Sequence, residues 1–125
     1  MKRFIDSQLD AWAASDRRKP LIVRGARQVG KTWSIRELGK RRFDEIVVVD
    51  LELHRDWHSI FDRDLDARRI VSELDVVNRS RITPGRTLLF FDEIQACPRA
   101  ISALRYFYEQ IPDLHVVAAG SMLEF

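Results

Sequence analysis

The chain has 125 residues, of which 46% are hydrophobic, so it can form one domain with a buried core. Its 21 Lys and Arg against 19 Asp and Glu give a net charge of +2, and this near balance argues against strong binding to nucleic acid. Cys97 is the only cysteine, no apolar run approaches the roughly 20 residues of a membrane span, and the N-terminus lacks the apolar core of a secretory signal. These observations predict a cytoplasmic protein without a disulfide or a membrane partner.

The N-terminal residues predict a helix followed by a strand. Between residues 2 and 14, apolar residues recur at helical spacing and polar residues fill the other face, as in a packed amphipathic helix. Residues 15–19 are polar, and Pro20 ends any helix before it. The apolar run 21–23 predicts a short strand, because a strand tolerates proline at its first residue.

Residues 25–32 fit the phosphate-binding pattern G-x-x-x-x-G-K-[ST] and lie between that strand and a helix-like run. In this order the N–H groups of the loop and of the helix N-terminus point at one anion, and the helix dipole favours its charge. We expect Lys31 to reach the β and γ phosphates, Thr32 to offer its hydroxyl to Mg²⁺, and Trp33 to contact phosphate through its N–H. The predicted nucleotide-binding residues are Gly25, Ala26, Arg27, Gln28, Val29, Gly30, Lys31, Thr32 and Trp33.

The middle of the chain predicts a second strand and a second covering helix. Residues 45–52 are a continuous β-branched run, typical of a strand buried on both faces of a parallel sheet. Between residues 53 and 80, Asp64 or Asp66 is expected to cap a helix. The buried stripe predicted for this helix consists of Ile70, Leu74 and Val77.

The apolar run 87–91, followed by Asp92 and Glu93, is the second informative stretch. It predicts a buried strand that presents two carboxylates at the edge where open α/β sheets bind ligands, the pattern of a Walker B motif. We expect Asp92 to hold Mg²⁺ together with Thr32, and Glu93 to orient and polarise the attacking water. The sequence therefore predicts the metal ligands and the base of a phosphoryl-transfer site.

The last part of the chain predicts a helix that begins at Pro98 and a strand over residues 115–121. Ser121, at the tip of that strand, is expected to hydrogen-bond the γ-phosphate or the attacking water. The predicted catalytic residues are Glu93, Lys31 and Ser121. Because strands and helices alternate along the chain, we predict an α/β fold with a mainly parallel sheet covered on both faces.

Three other residues suggest chemistry more weakly. His54 and His58 are one helical turn apart, but Arg55 stands where the zinc-protease pattern requires glutamate, so we expect no metal there. Cys97 is predicted to be a small buried or half-buried residue rather than a nucleophile.

Three segments carry a family resemblance that runs along essentially the whole chain. GARQVGKT from Gly25, FDEIQ from Phe91 and AAGSMLEF from Ala118 resemble the AAA-type ATPase domain of a large group of poorly characterised prokaryotic proteins. In that group the ATPase domain is followed by a C-terminal region that includes a domain of unknown function. The resemblance implies a three-layer P-loop NTPase core with four strands present, and the roles given above to the site residues.

The resemblance also implies parts that cannot be placed in this sequence. Such cores carry a fifth strand beside the first, a small helical lid and an arginine finger from a neighbouring subunit, which implies self-association or a protein partner. We therefore expect residues 1–125 to be a single N-terminal ATP-binding core, truncated after the strand that ends at Ser121. Without the fifth strand, residues 21–23 would form an exposed edge.

These observations predict ATP binding and Mg²⁺-dependent ATP hydrolysis. One alternative is a regulatory switch or interaction module that binds ATP and hydrolyses little of it, because the lid and the finger cannot be placed. Another is a DNA-directed motor or loader, which the balanced charge supports only weakly. Whether this chain is by itself an enzyme is left open.

Overall fold

The computed structural model describes residues 4–15, 19–24 and 29–120. The elements are listed here in chain order. They are α1 (Phe4–Ala14), β1 (Leu21–Arg24), α2 (Val29–Arg42), β2 (Glu45–Asp50), the 3-10 helix η1 (Arg55–Phe61), α3 (Ala67–Asn78), β3 (Thr87–Asp92), the short 3-10 helix η2 (Ile94–Ala96), α4 (Pro98–Gln110) and β4 (His115–Gly120).

The four strands form one sheet in the order β1-β4-β3-β2, and every neighbouring pair is parallel. Parallel neighbours cannot be joined by a tight turn, so each connection crosses over through a helix. This arrangement confirms the predicted α/β class and the parallel sheet.

Helices cover both faces of the sheet. This explains why the sequence of β3 has an uninterrupted apolar run. Leu88 and Phe90 are buried on the face that packs against α1 and α2. Leu89 and Phe91 are buried on the opposite face, against α3, α4 and η1. A strand covered on both sides needs apolar residues at every position, so the layer order follows from the sequence pattern.

The position of β2 corrects one prediction. Among the described residues β2 is bonded only to β3 and lies at an edge of the sheet. Val47 and Val49 are buried, whereas Ile46 and Val48 are partly exposed, so the strand is not buried on both faces. Its parallel pairing was predicted correctly, but its burial was not, because an edge strand has neighbouring structure on one side only.

At the other edge of the described sheet, β1 is bonded only to β4, with Leu21 opposite Val117. The described part of the chain contributes no fifth strand beside residues 21–23, which are partly buried. None of the helices in the described segments is long and apolar enough to cross a bilayer.

The start of α3 was predicted correctly and its end was not. Asp66 is the N-cap, and its carboxylate accepts the backbone N–H groups of Arg68 and Arg69. The predicted stripe holds at Ile70 and Leu74, which are fully buried, but Val77 is 43% exposed. The polar end of the helix explains this difference. Asp75 Oδ1 accepts hydrogen bonds from Ser80 Oγ and Ile82 N, both at 2.9 Å, so polar contacts rather than burial of Val77 hold the last turn.

Candidate functional site

The carboxyl ends of all four strands lie at one edge of the sheet, where open α/β sheets bind their ligands. Arg24 is opposite Gly120 at the ends of β1 and β4, and Asp50 is opposite Asp92 at the ends of β2 and β3. A cleft of about 800 Å³ opens at this edge. It is lined by Lys31, Thr32, Trp33, Arg36, Asp50, Glu52, Leu53, Asp92, Glu93, Ala119 and Gly120.

Five of the residues singled out in the sequence meet in this cleft. They are Lys31, Thr32, Trp33, Asp92 and Glu93. Two separate stretches of sequence, 60 residues apart, are therefore brought to one place by the strand order. Of the remaining predicted site residues, Val29 and Gly30 open α2. Gly25, Ala26, Arg27, Gln28 and Ser121 lie outside the described residues.

The first turn of α2 supplies the positive side of the cleft. Lys31 and Thr32 are partly buried there, two and three residues after the helix begins at Val29. Ile35 and Leu38 are fully buried against the sheet and fix the direction of the helix. The N-terminus of α2 therefore faces the cleft with a lysine beside it, and both features attract an anion.

Asp92 supplies a carboxylate whose environment disfavours its charge. Burial raises the pKa of Asp92, and the carboxylate of Asp50 adds to this effect. The backbone N–H of Glu93, which donates to Asp92 Oδ1 at 2.9 Å, opposes the rise by lowering the pKa. A cation held beside Asp92 would relieve the cost of its buried charge.

Glu93 has an unusual backbone conformation. Its φ of 50° and ψ of 48° are left-handed, which a residue with a Cβ adopts at a cost of roughly 1–2 kcal/mol. This conformation turns the chain sharply from β3 into η2. The Glu93 carboxylate is held there by Gln95, whose Nε2 donates to Glu93 Oε2 at 2.8 Å.

The structure adds six residues that the sequence analysis did not assign to the site, which are Arg36, Asp50, Glu52, Leu53, Ala119 and Gly120. Asp50 is the last residue of β2, Glu52 and Leu53 follow that strand, and Arg36 lies one helical turn after Thr32. Asp50 could have been found, because it ends an apolar run as Asp92 does and strand ends meet at one edge. Arg36 could have been found from the i, i+4 spacing that places it on the same helix face as Thr32.

The oxygen donors at the cleft suit Mg²⁺ bound together with phosphate. Thr32 supplies a hydroxyl and Asp92 a carboxylate, which are ligands that a hard cation prefers. Within the described ranges there is no group of three or more His, Cys, Asp or Glu side chains arranged to enclose a metal ion. Mg²⁺ is usually held by one or two protein oxygens, with water and substrate phosphates completing its shell, so the residues present fit this ion.

The weaker candidates, His54, His58 and Cys97, make packing or hydrogen-bond contacts within the fold. The rings of His54 and Trp57 stack, with centroids 3.7 Å apart and planes 4° from parallel. His58 Nε2 lies 2.6 Å from the Leu51 carbonyl oxygen. Cys97 is 3% exposed, as predicted for a small buried residue.

The fold and the cleft together define a class of protein. A parallel sheet in the order β1-β4-β3-β2, with a Gly-Lys-Thr helix start after β1 and an Asp-Glu pair after β3, is a three-layer P-loop NTPase core. Comparison with known families gives the particular one. Residues 17–125 match the family described as AAA domain, and the chain belongs to that family.

A solved structure supports the fold independently of sequence. The structure of C. elegans PCH-2 is similar to this chain with a TM-score of 0.54 and 16% sequence identity. The similarity covers 97% of this chain and 37% of the PCH-2 chain, so this chain spans well under half of that protein. No curated protein sequence matches the chain.

Proposed function

We propose that this chain binds ATP and, with Mg²⁺, hydrolyses it. The observation that carries the proposal is the convergence of two motifs: the lysine-bearing N-terminus of α2 and the Asp92-Glu93 pair line one cleft at the carboxyl edge of the sheet. Membership of the AAA domain family supports a nucleotide as the ligand. ATP is favoured over GTP because the segment from Asp92 to Gln95 lacks the glycine expected after the metal aspartate of GTPases.

The positive residues are proposed to hold the phosphates. Lys31 and the backbone N–H groups of residues 25–30 would bind the β and γ phosphates, where charge is concentrated. Thr32 and Asp92 would hold Mg²⁺, which when bound neutralises phosphate charge. Asp92 is proposed to act through a bound water. These contacts would orient the γ-phosphate towards the end of β3.

Glu93 is proposed to polarise the attacking water. It follows Asp92 directly and lines the same cleft, so its carboxylate is within the region where the γ-phosphate would end. A fixed acceptor at that point orients the water and takes its proton as the new bond forms. Ser121, which follows Gly120 in the sequence, is proposed to hydrogen-bond the γ-phosphate or the water.

Two substitutions test the proposal in the purified protein. Lys31→Ala should weaken ATP binding by about 100-fold or more, since a charged hydrogen bond is lost in a partly buried site. Lys40→Ala is the matched control, because Lys40 is exposed on the same helix and forms a surface ion pair with Glu37, with Nζ and Oε2 3.3 Å apart. Unchanged ATP affinity in Lys31→Ala, measured by calorimetry, would overturn the proposal.

Glu93→Gln separates binding from turnover. It keeps the shape of the side chain and removes the base, so ATP affinity should stay within about twofold while hydrolysis falls by about 100-fold or more. Glu45→Gln, on an exposed residue at the start of β2, is the control and should change neither quantity. ATP binding without measurable turnover in the wild-type protein would instead identify an ATP-dependent switch.

A further inference from the structure

Gln95 contacts the cleft residue Glu93, and the function proposed above does not use it. Gln95 lies in η2 two residues after Glu93, and its Nε2 donates to Glu93 Oε2 at 2.8 Å. We propose that Gln95 is a positioning residue that fixes the Glu93 carboxylate for attack by water on the γ-phosphate. This inference rests on the proposed function, because it assigns a task to Gln95 in the same site.

The backbone around Gln95 is well fixed. Ala96 N donates to Glu93 O at 3.1 Å and Cys97 N to Ile94 O at 3.0 Å, which closes the turns of η2. Ile94 is 1% exposed and anchors this short helix in the core. Gln95 is therefore carried by a rigid turn, and its distance from Glu93 is set by that turn rather than by chance contact between mobile side chains.

The side-chain amide of Gln95 donates its hydrogen bond to the Glu93 carboxylate. A carboxylate only accepts hydrogen bonds, so the NH₂ end of the amide must be the end that faces it. The other end, Oε1, is buried and has no hydrogen-bond partner among the described residues. A glutamine retained for stability would be expected to satisfy both ends of its amide. Contact with Glu93 is thus the one polar interaction that this side chain makes in the described structure.

A hydrogen-bond donor beside Glu93 would hold its carboxylate in one orientation for the attack by water. A glutamate side chain has three rotatable bonds, and a base that samples several rotamers spends little time aligned with a water. A neutral N–H donor holds one carboxylate oxygen without competing for the proton, and a carboxylate has about four acceptor positions, so others can receive the water. Gln95 would therefore increase the fraction of time in which Glu93 is aligned for attack.

Gln95→Glu is the sharpest test, because it keeps the size of the side chain and replaces the donor with a second carboxylate that repels Glu93. Gln95→Ala removes the contact without adding charge. Both variants should lower kcat for ATP by about 10- to 100-fold and leave the dissociation constant for ATP within about twofold. Gln8→Glu, the same change on an exposed residue of α1, should alter neither value.

A second measurement does not depend on turnover. In ¹⁵N–¹H NMR spectra the side-chain amide of Gln95, assigned by its absence in Gln95→Ala, should shift when Glu93 is replaced by alanine. An amide signal that does not respond to Glu93→Ala would overturn the inference. So would an unchanged or increased kcat in both Gln95 variants, or a fall in kcat that is accompanied by weaker ATP binding and a lower melting temperature.

Failure of the inference about Gln95 can be distinguished from failure of the proposed ATP hydrolysis. If the wild-type protein shows no hydrolysis, the proposed function fails and the task of Gln95 fails with it. If the wild-type protein hydrolyses ATP and Glu93→Gln does not, the proposed function holds, and the Gln95 variants together with the NMR signal of the Gln95 amide decide the present inference.

Discussion

Asp50 and Asp92 occupy the same register position at the carboxyl ends of β2 and β3, so two carboxylates stand on neighbouring strands beside one cleft. Their surroundings differ. Asp50 Oδ1 accepts the backbone N–H groups of Glu52 and Leu53, both at 3.0 Å, and so closes the turn that follows β2. Burial raises the pKa of Asp92. Asp50 is therefore a turn-forming residue, and Asp92 is a carboxylate whose buried charge a bound cation would stabilise.

The raised pKa of Asp92 predicts that Asp92→Asn stabilises the ligand-free protein at neutral pH. Because the folded-state pKa lies above the unfolded value of 3.8, the native state binds the proton more tightly, and stability decreases as the pH rises from below 3.8 through the folded-state pKa. Asparagine removes this cost and keeps the oxygen that accepts the Glu93 N–H. The free energy of unfolding in urea should therefore be higher than in the wild type at pH 7, and the difference should disappear near pH 3.

Asp44→Asn is the control for that measurement. Asp44 forms an exposed ion pair with Arg86, with Oδ2 and Nε 2.7 Å apart, and such pairs contribute about 0–1 kcal/mol. Its replacement should lower stability slightly or not at all at pH 7. A loss of stability in Asp92→Asn of equal size at both pH values would contradict the explanation from buried charge.

Replacement of Gly39 by alanine is predicted to lower the stability of the protein, although alanine usually stabilises a helix relative to glycine. Gly39 is buried in α2, and a Cβ at this position would lie 3.0 Å from Ile46 Cβ and 3.1 Å from Ile46 Cδ1. The Cβ of Ile46 is fixed to the backbone of β2, so the helix and the strand would have to separate. We expect Gly39→Ala to destabilise the protein by about 1–3 kcal/mol, although in an open helix position the same change stabilises by about 1 kcal/mol.

Denaturant unfolding of Gly39→Ala in the wild-type and Ile46→Val backgrounds checks this explanation. Valine lacks the Cδ1 atom that the new methyl group would meet, so part of the loss should be recovered in the double variant. Equal losses in both backgrounds would mean that Cδ1 does not take part in the clash, and a gain in stability would refute the close approach of α2 to β2.

Local sequence patterns were sufficient to predict individual helices and strands, because the formation of these elements depends mainly on neighbouring residues. The spacing of glycines, Lys31 and Thr32 predicts a preceding strand and a helix start, and the apolar run before Asp92 predicts a strand covered on both faces. Strand order is not local, because no pattern within residues 45–52 shows that the next strand lies on one side only. The edge position of β2 was therefore missed, and with it the approach of Asp50 to Asp92.

Gln95 was missed for a different reason. Its position in the segment from Phe91 to Gln95 was noticed as part of a motif, but the sequence alone does not show that the chain turns through a left-handed residue at Glu93. That turn places the side chains of residues 93 and 95 within hydrogen-bond distance. The signal available in the sequence is only that a glutamine follows two carboxylates within a few residues.

The exposed end of α3 gives a direct comparison between a core residue and a surface residue of the same helix. Leu74 is fully buried, so Leu74→Ala should cost about 2–5 kcal/mol in the free energy of unfolding. Val76 is 76% exposed, and Val76→Ala should change stability by less than about 0.5 kcal/mol. Similar losses for the two variants in denaturant titrations would mean that the last turn of α3 is more buried than the structure shows.

Cys97 should be almost unreactive in the folded protein. It is 3% exposed between η2 and α4, and burial raises the pKa of its thiol above the ordinary value of 9.0, so the thiolate is scarce at neutral pH. Labelling with iodoacetamide at pH 7.5 should be at least about 100-fold slower in the native protein than in the urea-unfolded chain, since reaction requires an opening of the core. The raised pKa also has a consequence for stability. It disfavours the thiolate in the native state, so the contribution of Cys97 to stability is present below pH 9.0 and decreases as the pH rises through 9.0 towards the folded-state pKa. A Cys97→Ser variant, which carries no thiol, provides the blank for labelling, and native Cys97 that reacts as fast as the unfolded chain would contradict its burial.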